Sequence, residues 1–429
     1  MSTEPGTARR KSKRKVLGSI VVDTRPLKIP AYRRLWASTA ITAVGSQLTA
    51  VAVPKQVFDI TGSSGFVGLT GAVALVPLLV FGLWGGAIAD TVDRRKLLLV
   101  TNTGVAVTSA ALWLQAFLGL NSVWLVLLLL GVNQAFFAVN MPTRSAVIAR
   151  LVPVELLPAA ISLGATVMQF GAVLGPMAAG ALMPVVGLST LYLVDTVVLT
   201  VTLWAVWKLP SLPPQNGPVR RAGLRDVIDG FRYLATQKIL LASFLVDIIA
   251  MVFGMPRALF PEMAERTFGD PPGGGPALGW LFAAIPIGAL LCGVASGWLS
   301  RISRHGVAVT IAVVAWGVSI VGFGLSQSLW LAVVFMALAG VADFVSMVFR
   351  SSILQSATTD EMRGRLQGVF TVVVAGGPRI ADVTHGWTAA GVGTAASATG
   401  GGVLVIVFVV VAVVLLPAFW RYRAPVSPP

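Results

Sequence analysis

Several aspartates stand in apolar stretches of the sequence, and three of them are candidates to bind and release a proton. They are Asp247, Asp343 and Asp382. An ionised carboxylate is costly in such surroundings, so an aspartate there readily takes up a proton. We predict that these three residues are proton-coupling sites. Each could instead be a structural salt-bridge partner, since Arg350 follows Asp343 by seven residues and shares its helix face.

Three basic residues also lie in apolar stretches, at Lys55, Arg257 and Arg379. Cations in such a place are expected to face protein or water and not lipid. They attract carboxylate or catecholate oxygens through charge-assisted hydrogen bonds, and nearby aromatic rings could stack on a ligand. We therefore predict a cavity for an anionic or polyphenolic molecule, lined by Gln47, Lys55, Asn133, Phe137, Asn140, Arg257 and Arg379.

Structural roles compete with this interpretation. Arg257 could simply neutralise Asp247, and Arg379 could neutralise Asp382. Arg379 and Asp382 stand one helical turn apart. Asn133 and Asn140 belong to a stripe at helical spacing that could equally hold two helices together by hydrogen bonds.

Motifs for other chemistry are absent from the sequence. It contains no His, Cys, Asp and Glu cluster with metal-ligand spacing, no phosphate-binding Gly-Lys-Ser/Thr loop and no nucleophile elbow. His305 and His385 are solitary. We expect no catalytic residue, no cofactor and no bound metal, so the protein is predicted not to be an enzyme or an ATP-driven pump.

Composition indicates an integral membrane protein. Of the 429 residues, 56% are hydrophobic and only 11% are charged, against about 25% charged in soluble domains. The net charge of +15 does not indicate nucleic-acid binding. In the topology predicted below, 28 of the 32 Lys and Arg fall on one side of the bilayer, and this side is expected to be cytoplasmic.

The charge-free runs predict about a dozen membrane spans, of which the seventh covers about 239–260. Both termini are expected in the cytoplasm. The predicted divisions are a basic tail at 1–34, a six-helix half at 35–209, a linker at 210–238, a second six-helix half at 239–420 and a short tail at 421–429.

A burst of charge between two uncharged runs marks the turn from the second span to the third. Its residues Gly86, Asp90, Arg94 and Arg95 resemble the corresponding loop motif of the major facilitator superfamily. Asp93 departs from that motif, because a Gly is usual at its position. We predict that the Asp90 carboxylate at a helix end stabilises closure of the cytoplasmic side. The turn could instead determine topology only.

A second motif occurs in the predicted fifth span. Gly171 and Gly175 stand four residues apart, which allows a neighbouring helix to approach, and Pro176 removes a backbone donor. The set resembles the helix-5 motif of facilitator-superfamily antiporters, a feature associated with export, although Ala179 replaces one usual glycine. Ordinary close packing is the alternative.

Two further patterns extend this resemblance over most of the chain. The spacing from Arg144 to Glu155 recurs from Arg350 to Glu361, which favours duplicated halves. The runs at 257–261 and 279–289 resemble the enterobactin exporter group of the superfamily. The resemblance implies an all-α membrane fold of twelve transmembrane helices in two pseudo-symmetric six-helix halves.

The resemblance also implies a function. We expect a monomeric secondary exporter in the cell membrane that moves a small molecule, a siderophore, by alternating access with protons. Efflux of drugs or macrolides is the first alternative and nutrient uptake the second. A non-transporting receptor or membrane scaffold is a third alternative, of another functional class.

Overall fold

The computed structural model describes residues 23–214, 224–358 and 360–423. Within its helices, the side chains of 83–87, 89–90, 224–227, 360–361, 363–365, 367–368 and 371 fall outside this description. So do most of the predicted N-terminal tail, residues 215–223 of the predicted linker and the end of the C-terminal tail. In the described ranges, all regular elements are helices.

The N-terminal half consists of long helices joined by short turns. The last long helix, Leu157–Trp207, contains one residue with non-helical backbone angles, Gly187 at φ 77° and ψ 161°, and therefore forms two spans. The helices are α1 (Pro30–Thr61), α2 (Ser64–Thr91), α3 (Arg94–Phe117), α4 (Val123–Leu151), α5 (157–186) and α6 (188–207).

The C-terminal half follows a short amphipathic helix in the predicted linker, α7 (Leu224–Thr236). Its helices are α8 (Lys238–Phe253), α9 (Phe260–Arg266), α10 (Pro276–Val294), α11 (His305–Leu325), α12 (Leu329–Ser356), α13 (Asp360–Val392), α14 (Thr394–Leu415) and the short α15 (Pro417–Trp420).

The spans agree with the predicted twelve. Nine helices of the described chain are long and apolar enough to cross a membrane, and one of them, Val154–Trp207, contains the two spans α5 and α6. The remaining two spans are α1 and α13, with 32 and 33 residues, which carry more polar and charged side chains. The pair α8 and α9 together makes one span.

The seventh span, predicted as a helix over about 239–260, is present but is not one continuous helix. Helix α8 ends at Phe253, and a 3-10 turn at Arg257–Leu259 precedes α9. Pro256 has no N–H to donate, which favours a break. The indole Nε1 of Trp316 donates a hydrogen bond of 2.9 Å to the carbonyl of Gly254, which satisfies a backbone acceptor that the broken helix leaves open.

The two halves meet through two close helix pairs, α2 with α13 and α5 with α10. A Cβ atom on Gly68 would lie 2.4 Å from the carbonyl oxygen of Asp382. One on Gly180 would lie 2.8 Å from the Cα atom of Gly279. Glycine is required at both positions because any side chain would force the backbones apart. We call the side that carries the α1–α2 turn the outer side and the opposite side the inner side.

Candidate substrate and proton sites

A buried ionic cluster lies in the middle of the C-terminal half. Arg350 of α12 is 4% exposed and contacts Asp247 of α8, whose side chain is 1% exposed. Asp343 precedes Arg350 by two turns of α12, and its Oδ1 lies 3.9 Å from Arg350 Nη2. The sequence predicted the shared face of Asp343 and Arg350, but the nearer partner of Arg350 is Asp247. Asp343 keeps 26% of its side chain exposed although it lies near the centre of α12.

A second charged group surrounds the break in the seventh span. Arg257 lies in the 3-10 turn, and Arg379 and Asp382 lie near the middle of α13. Arg257 interacts electrostatically with both Asp343 and Asp382, and Arg379 interacts with Asp382. All four side chains are half-buried. Each of them therefore keeps part of its surface free of contact with protein.

The two arginines of this group stand apart from the carboxylates of the described residues. Within the described ranges, neither Arg257 nor Arg379 has a carboxylate oxygen within 4.0 Å. Asp247 is taken by Arg350 instead of Arg257. The Cβ atom of Asp382 packs 2.6 Å from the position that a Cβ on Gly71 would take, which places the residue against α2. The direct pairs that compete with the substrate interpretation are therefore not formed in this conformation.

The predicted polar residues of α4 bind α3. Asn133 Nδ2 donates to Thr108 Oγ1 at 2.8 Å, and Asn140 Nδ2 donates to Thr101 Oγ1 at 2.8 Å. Both asparagines thus make interhelical hydrogen bonds, the role that competed with cavity lining. Phe137 is 38% exposed.

Gln47 and the helix-5 motif occupy one packed region. A Cβ on Gly175 would lie 2.4 Å from Gln47 Cβ, and one on Gly171 would lie 2.8 Å from Ala43 Cβ. The carbonyl of Pro176 lies 2.6 Å from the position of a Cβ on Gly279. The motif residues therefore bring α5 against α1 and, at Pro176, against α10. The backbone angles stay helical at Pro176, and the break occurs at Gly187.

Lys55 is fully buried in an ionic contact between the halves. Its ammonium binds Asp59 on α1, and it lies 2.5 Å from Glu265 Oε2 on α9. Nearby, Ser64 on α2 donates to Glu262, and Arg266 pairs with Glu262 at 2.5 Å and donates to the carbonyl of Gly62 at 3.2 Å. We call this set of residues the outer clamp: Lys55, Asp59, Ser64, Glu262, Glu265 and Arg266.

The turn between α2 and α3 is held by Asp93. This carboxylate accepts hydrogen bonds from the N–H groups of Arg95 and Lys96 and thereby caps α3. It also binds Ser211 and the N–H of Leu212 at the start of the predicted linker. Burial raises the pKa of Asp93, but these hydrogen bonds outweigh burial and leave the pKa below its ordinary value.

The predicted residues of this turn are only partly described. The surroundings of Gly86 and the side chain of Asp90 lie outside the description. The predicted role of Asp90 therefore stays a prediction. Arg95 Nη2 donates to the carbonyl of Trp207 at 2.6 Å, at the inner end of α6. The N–H of Arg94 donates to the carbonyl of Leu212 at 3.1 Å.

Comparison with known families identifies the chain. A family model described as transmembrane secretion effector matches residues 22–423, nearly the whole length. The chain belongs to this family of the major facilitator superfamily. A secretion effector of this kind is a multi-pass membrane transporter of small molecules and not an enzyme.

Relatives and solved structures agree with this assignment. The chain is 32% identical over 353 residues to the enterobactin exporter EntS of Shigella boydii serotype 4, covering 80% of this chain and 81% of that protein. The same values hold for EntS of Escherichia coli O139:H28.

Two solved transporters share the fold. A bacterial homolog of the human lysosomal transporter Spinster has a TM-score of 0.68 at 15% identity, covering 93% of this chain and 97% of that chain. The nucleoside transporter NupG has a TM-score of 0.69 at 14% identity, covering 91% and 98%. These likenesses show the fold of the secretion effector.

Sequence reasoning missed several residues of the secretion effector that hold its parts together. Asp93 carries a usable signal, because an Asp directly before a helix start is a favoured cap. Glu262 and Glu265 carry a weaker one, as the acidic residues of a short amphipathic stretch in a chain with few carboxylates. Their partners in the N-terminal half, Ser64 and Lys55, lie about 200 residues away, and a sequence pattern does not pair residues over that distance.

Proposed function

We propose that this protein exports an anionic siderophore and couples export to proton entry. The observation that carries the proposal is the pair of half-buried arginines, Arg257 and Arg379, beside a broken span without a close carboxylate partner in the described chain. Guanidinium groups bind carboxylate and catecholate oxygens in bidentate geometry, which suits a chelator of ferric iron. The 32% identity to enterobactin exporters supports the same class of cargo.

The broken span suits this role for a physical reason. Backbone that is not helical is tolerated within a membrane protein where it is covered by protein or lines a cavity, and transporters place binding sites at such breaks. The indole of Trp316 holds the Gly254 carbonyl, so the break is fixed by the packing of α11. Arg257 follows it by three residues and is thereby presented toward α13.

The carboxylates of the same region support proton coupling. Asp343 and Asp382 are half-buried and near arginines, so a proton on either one changes the charge that Arg257 and Arg379 experience. The ionised carboxylates and a cargo anion would then compete for the same two arginines, so the protonation state of Asp343 and Asp382 would change the affinity for cargo. Moving one charge across 100 mV yields about 2.3 kcal/mol, enough for about fortyfold accumulation.

The closed outer clamp supports alternating access. Ionic and hydrogen-bonded contacts join α1 and α2 to α9 on the outer side. Release of cargo to the outside would require these contacts to break while the α2–α13 and α5–α10 pairs separate there. We further infer that the protein lies in the cell membrane with both termini in the cytoplasm, as the distribution of Lys and Arg indicates. We also propose that it works as a monomer.

The test is transport into vesicles. Purified protein is reconstituted into vesicles, and a proton gradient directed out of the vesicles is imposed. Uptake of an iron-free catecholate siderophore is then compared with uptake of a cationic drug. The proposal expects siderophore movement that stops when the gradient is collapsed. Movement of the drug without the siderophore would establish the multidrug alternative, and siderophore movement that persists after collapse would remove proton coupling.

A further inference from the structure

A column of buried polar residues runs through the core of the N-terminal half, separate from the charged groups described above. At its outer end lies a pocket of about 460 Å³ between the ends of α1, α3 and α6, lined by Gln56, Asp59, Ile60, Ala116, Asn121, Leu188 and Ser189. This pocket is open to the outer side, and its lining is mostly polar. It can therefore hold water.

The next layer of the column is a closed hydrogen-bonded triad. Gln56 of α1 and Gln115 of α3 exchange two hydrogen bonds, of 3.2 and 2.9 Å. The hydroxyl of Tyr192 on α6 donates to Gln56 Oε1 at 2.9 Å. Gln56 also lines the outer pocket, so the triad forms the boundary between that pocket and the core.

Below the triad lies a carboxylate. Asp195 of α6 is 3% exposed. Its Oδ2 accepts hydrogen bonds from Thr49 of α1 at 2.7 Å and from Ser109 of α3 at 3.1 Å. Its Oδ1 is buried and has no hydrogen-bond partner. The space beside Oδ1 is kept by Gly45, where a Cβ atom would come within 3.0 Å.

The groups around Asp195 supply no countercharge. The described interactions of its carboxylate are those with the two hydroxyls, and none involves a Lys, Arg or His. On the helices packed against it, the titratable groups of the outer half are Tyr192 on α6 and Lys55 and Asp59 on α1, and Lys55 is already paired with two carboxylates. The basic residues of α3 and α6 stand at their inner ends, at Arg94, Arg95, Lys96 and Lys208.

An unpaired ionised carboxylate at this depth carries a desolvation penalty of several kcal/mol. Two neutral hydroxyl donors on one oxygen do not remove it, and the other oxygen remains without a donor. A proton on the unpartnered oxygen removes the charge and leaves the two hydrogen bonds to Oδ2 in place. Oδ2 is then the carbonyl oxygen of the neutral carboxyl group, and it still accepts the hydrogen bonds from Thr49 and Ser109.

We propose that Asp195 is a proton-binding site of the N-terminal half and exchanges its proton with the outer aqueous phase through the layer of Gln56, Gln115 and Tyr192. Tyr192 precedes Asp195 by three residues and Thr49 precedes Gln56 by seven, so each pair shares a helix face and the two layers are aligned. One turn of helix, about 5 Å, separates Tyr192 from Asp195 along α6, a distance that one or two water molecules bridge. The site does not depend on the identity of the cargo or on the charged groups of the C-terminal half.

The test is infrared spectroscopy of the purified full-length protein in lipid nanodiscs, without cargo. The carbonyl stretch of a protonated carboxyl group is measured at neutral pH in the wild type, in Asp195→Asn and in Ser109→Ala. The proposal expects a band that is lost in Asp195→Asn and shifted to higher frequency, but retained, in Ser109→Ala, since that variant removes one hydrogen bond to the carbonyl oxygen. Asparagine has the same shape as a neutral Asp, so Asp195→Asn is expected to fold. If it does not fold, the shift of the band in Ser109→Ala identifies the band as that of Asp195.

Several results would overturn the proposal. Identical carboxyl bands in the wild type and in Asp195→Asn would show that Asp195 is ionised. A band that is lost in Asp195→Asn but unmoved in Ser109→Ala would contradict the proposed arrangement, in which the carbonyl oxygen Oδ2 accepts from Ser109. A band that appears only when sodium is removed would make Asp195 a metal-cation site. The outer route is tested by hydrogen–deuterium exchange of the band, which Gln56→Leu should slow at least tenfold, and an unchanged rate would contradict that route.

Discussion

Lys55 of α1 and Glu265 of α9 form an ion pair across the two halves, with 2.5 Å between Nζ and Oε2. The Lys55 side chain is 1% exposed and also binds Asp59. Its Nζ lies 5.5 Å from the centre of the Phe58 ring, and Cζ of Arg266 lies 5.3 Å from the same centre. The two clamp cations therefore flank one aromatic ring, and Lys55 is the buried centre of the outer contact.

We expect Lys55→Met to open the outer side. The variant leaves Asp59 and Glu265 close together without a countercharge, and breaking a buried pair in this way costs about 3–5 kcal/mol. The opening is measured as the distance between spin labels at Leu120→Cys and Pro272→Cys, two exposed outer positions, in a Cys292→Ala background. In Lys55→Met, the fraction of molecules with a longer distance between the two labels should increase. Arg232→Met, which removes an exposed 3.9 Å pair with Asp229, is the control and should change nothing. An unchanged distribution in Lys55→Met would mean that the clamp does not hold the halves together.

The interface glycines give a matched pair of substitutions on one helix. Gly180→Ala places a methyl group 2.8 Å from the backbone of Gly279, so it should separate α5 from α10 and lower the unfolding temperature. Gly164→Ala, also on α5, meets nothing within 4 Å and should stabilise the helix by about 0.4–1 kcal/mol. Thermal unfolding in detergent measures both. Equal effects of the two substitutions would contradict the close α5–α10 contact.

Asp93 is expected to stabilise the turn between α2 and α3. Asp93→Ala removes a helix cap and should lower the free energy of unfolding by about 1 kcal/mol at neutral pH. The folded-state pKa lies below the ordinary value of 3.8, so this contribution is present above pH 3.8 and is lost as the pH falls through the folded-state pKa. The difference between wild type and variant should therefore vanish in acid. Asp229→Ala, on the exposed face of α7, is the control, and a difference that persists unchanged in acid would contradict the capping role.

The buried pair of Asp247 and Arg350 can be tested by a double-mutant cycle. Arg350→Met leaves Asp247 buried and unpaired, which should destabilise the protein by about 3–5 kcal/mol. Adding Asp247→Leu removes the uncompensated charge and should restore most of that stability. Unfolding of the two single variants and the double variant gives the coupling energy. Additive losses would show that the two side chains do not form a functional pair in the membrane.

The sequence was sufficient for the spans and the fold because charge-free runs must cross the bilayer as helices. It located the shared face of Asp343 and Arg350, since a helix places residues seven apart on one side. It could not show that Asp247 is the nearer partner of Arg350, because that contact depends on how α8 packs against α12. The same limit explains Lys55, whose partner Glu265 follows it by 210 residues.

Two other differences arise from packing between helices. Pro256 favours a break in the seventh span, but the indole donor from α11 that stabilises the break at Gly254 is not visible in the local sequence. Arg379 and Asp382 are spaced for a pair on one helix, yet Asp382 packs against Gly71 of α2. Spacing predicts which residues can meet, and packing against other helices decides which do.

The central claim is that Arg257 and Arg379 receive an anionic chelator, and equilibrium binding tests it most directly. Binding of an iron-free catecholate siderophore to the purified protein is followed by calorimetry in the wild type, in Arg257→Gln, in Arg379→Gln and in the surface control Arg232→Gln. Loss of one charge-assisted contact should weaken binding at least tenfold, about 1.4 kcal/mol, in each cavity variant and leave the control unchanged. Siderophore affinity that is the same in all four proteins would show that both arginines are structural and would contradict the account.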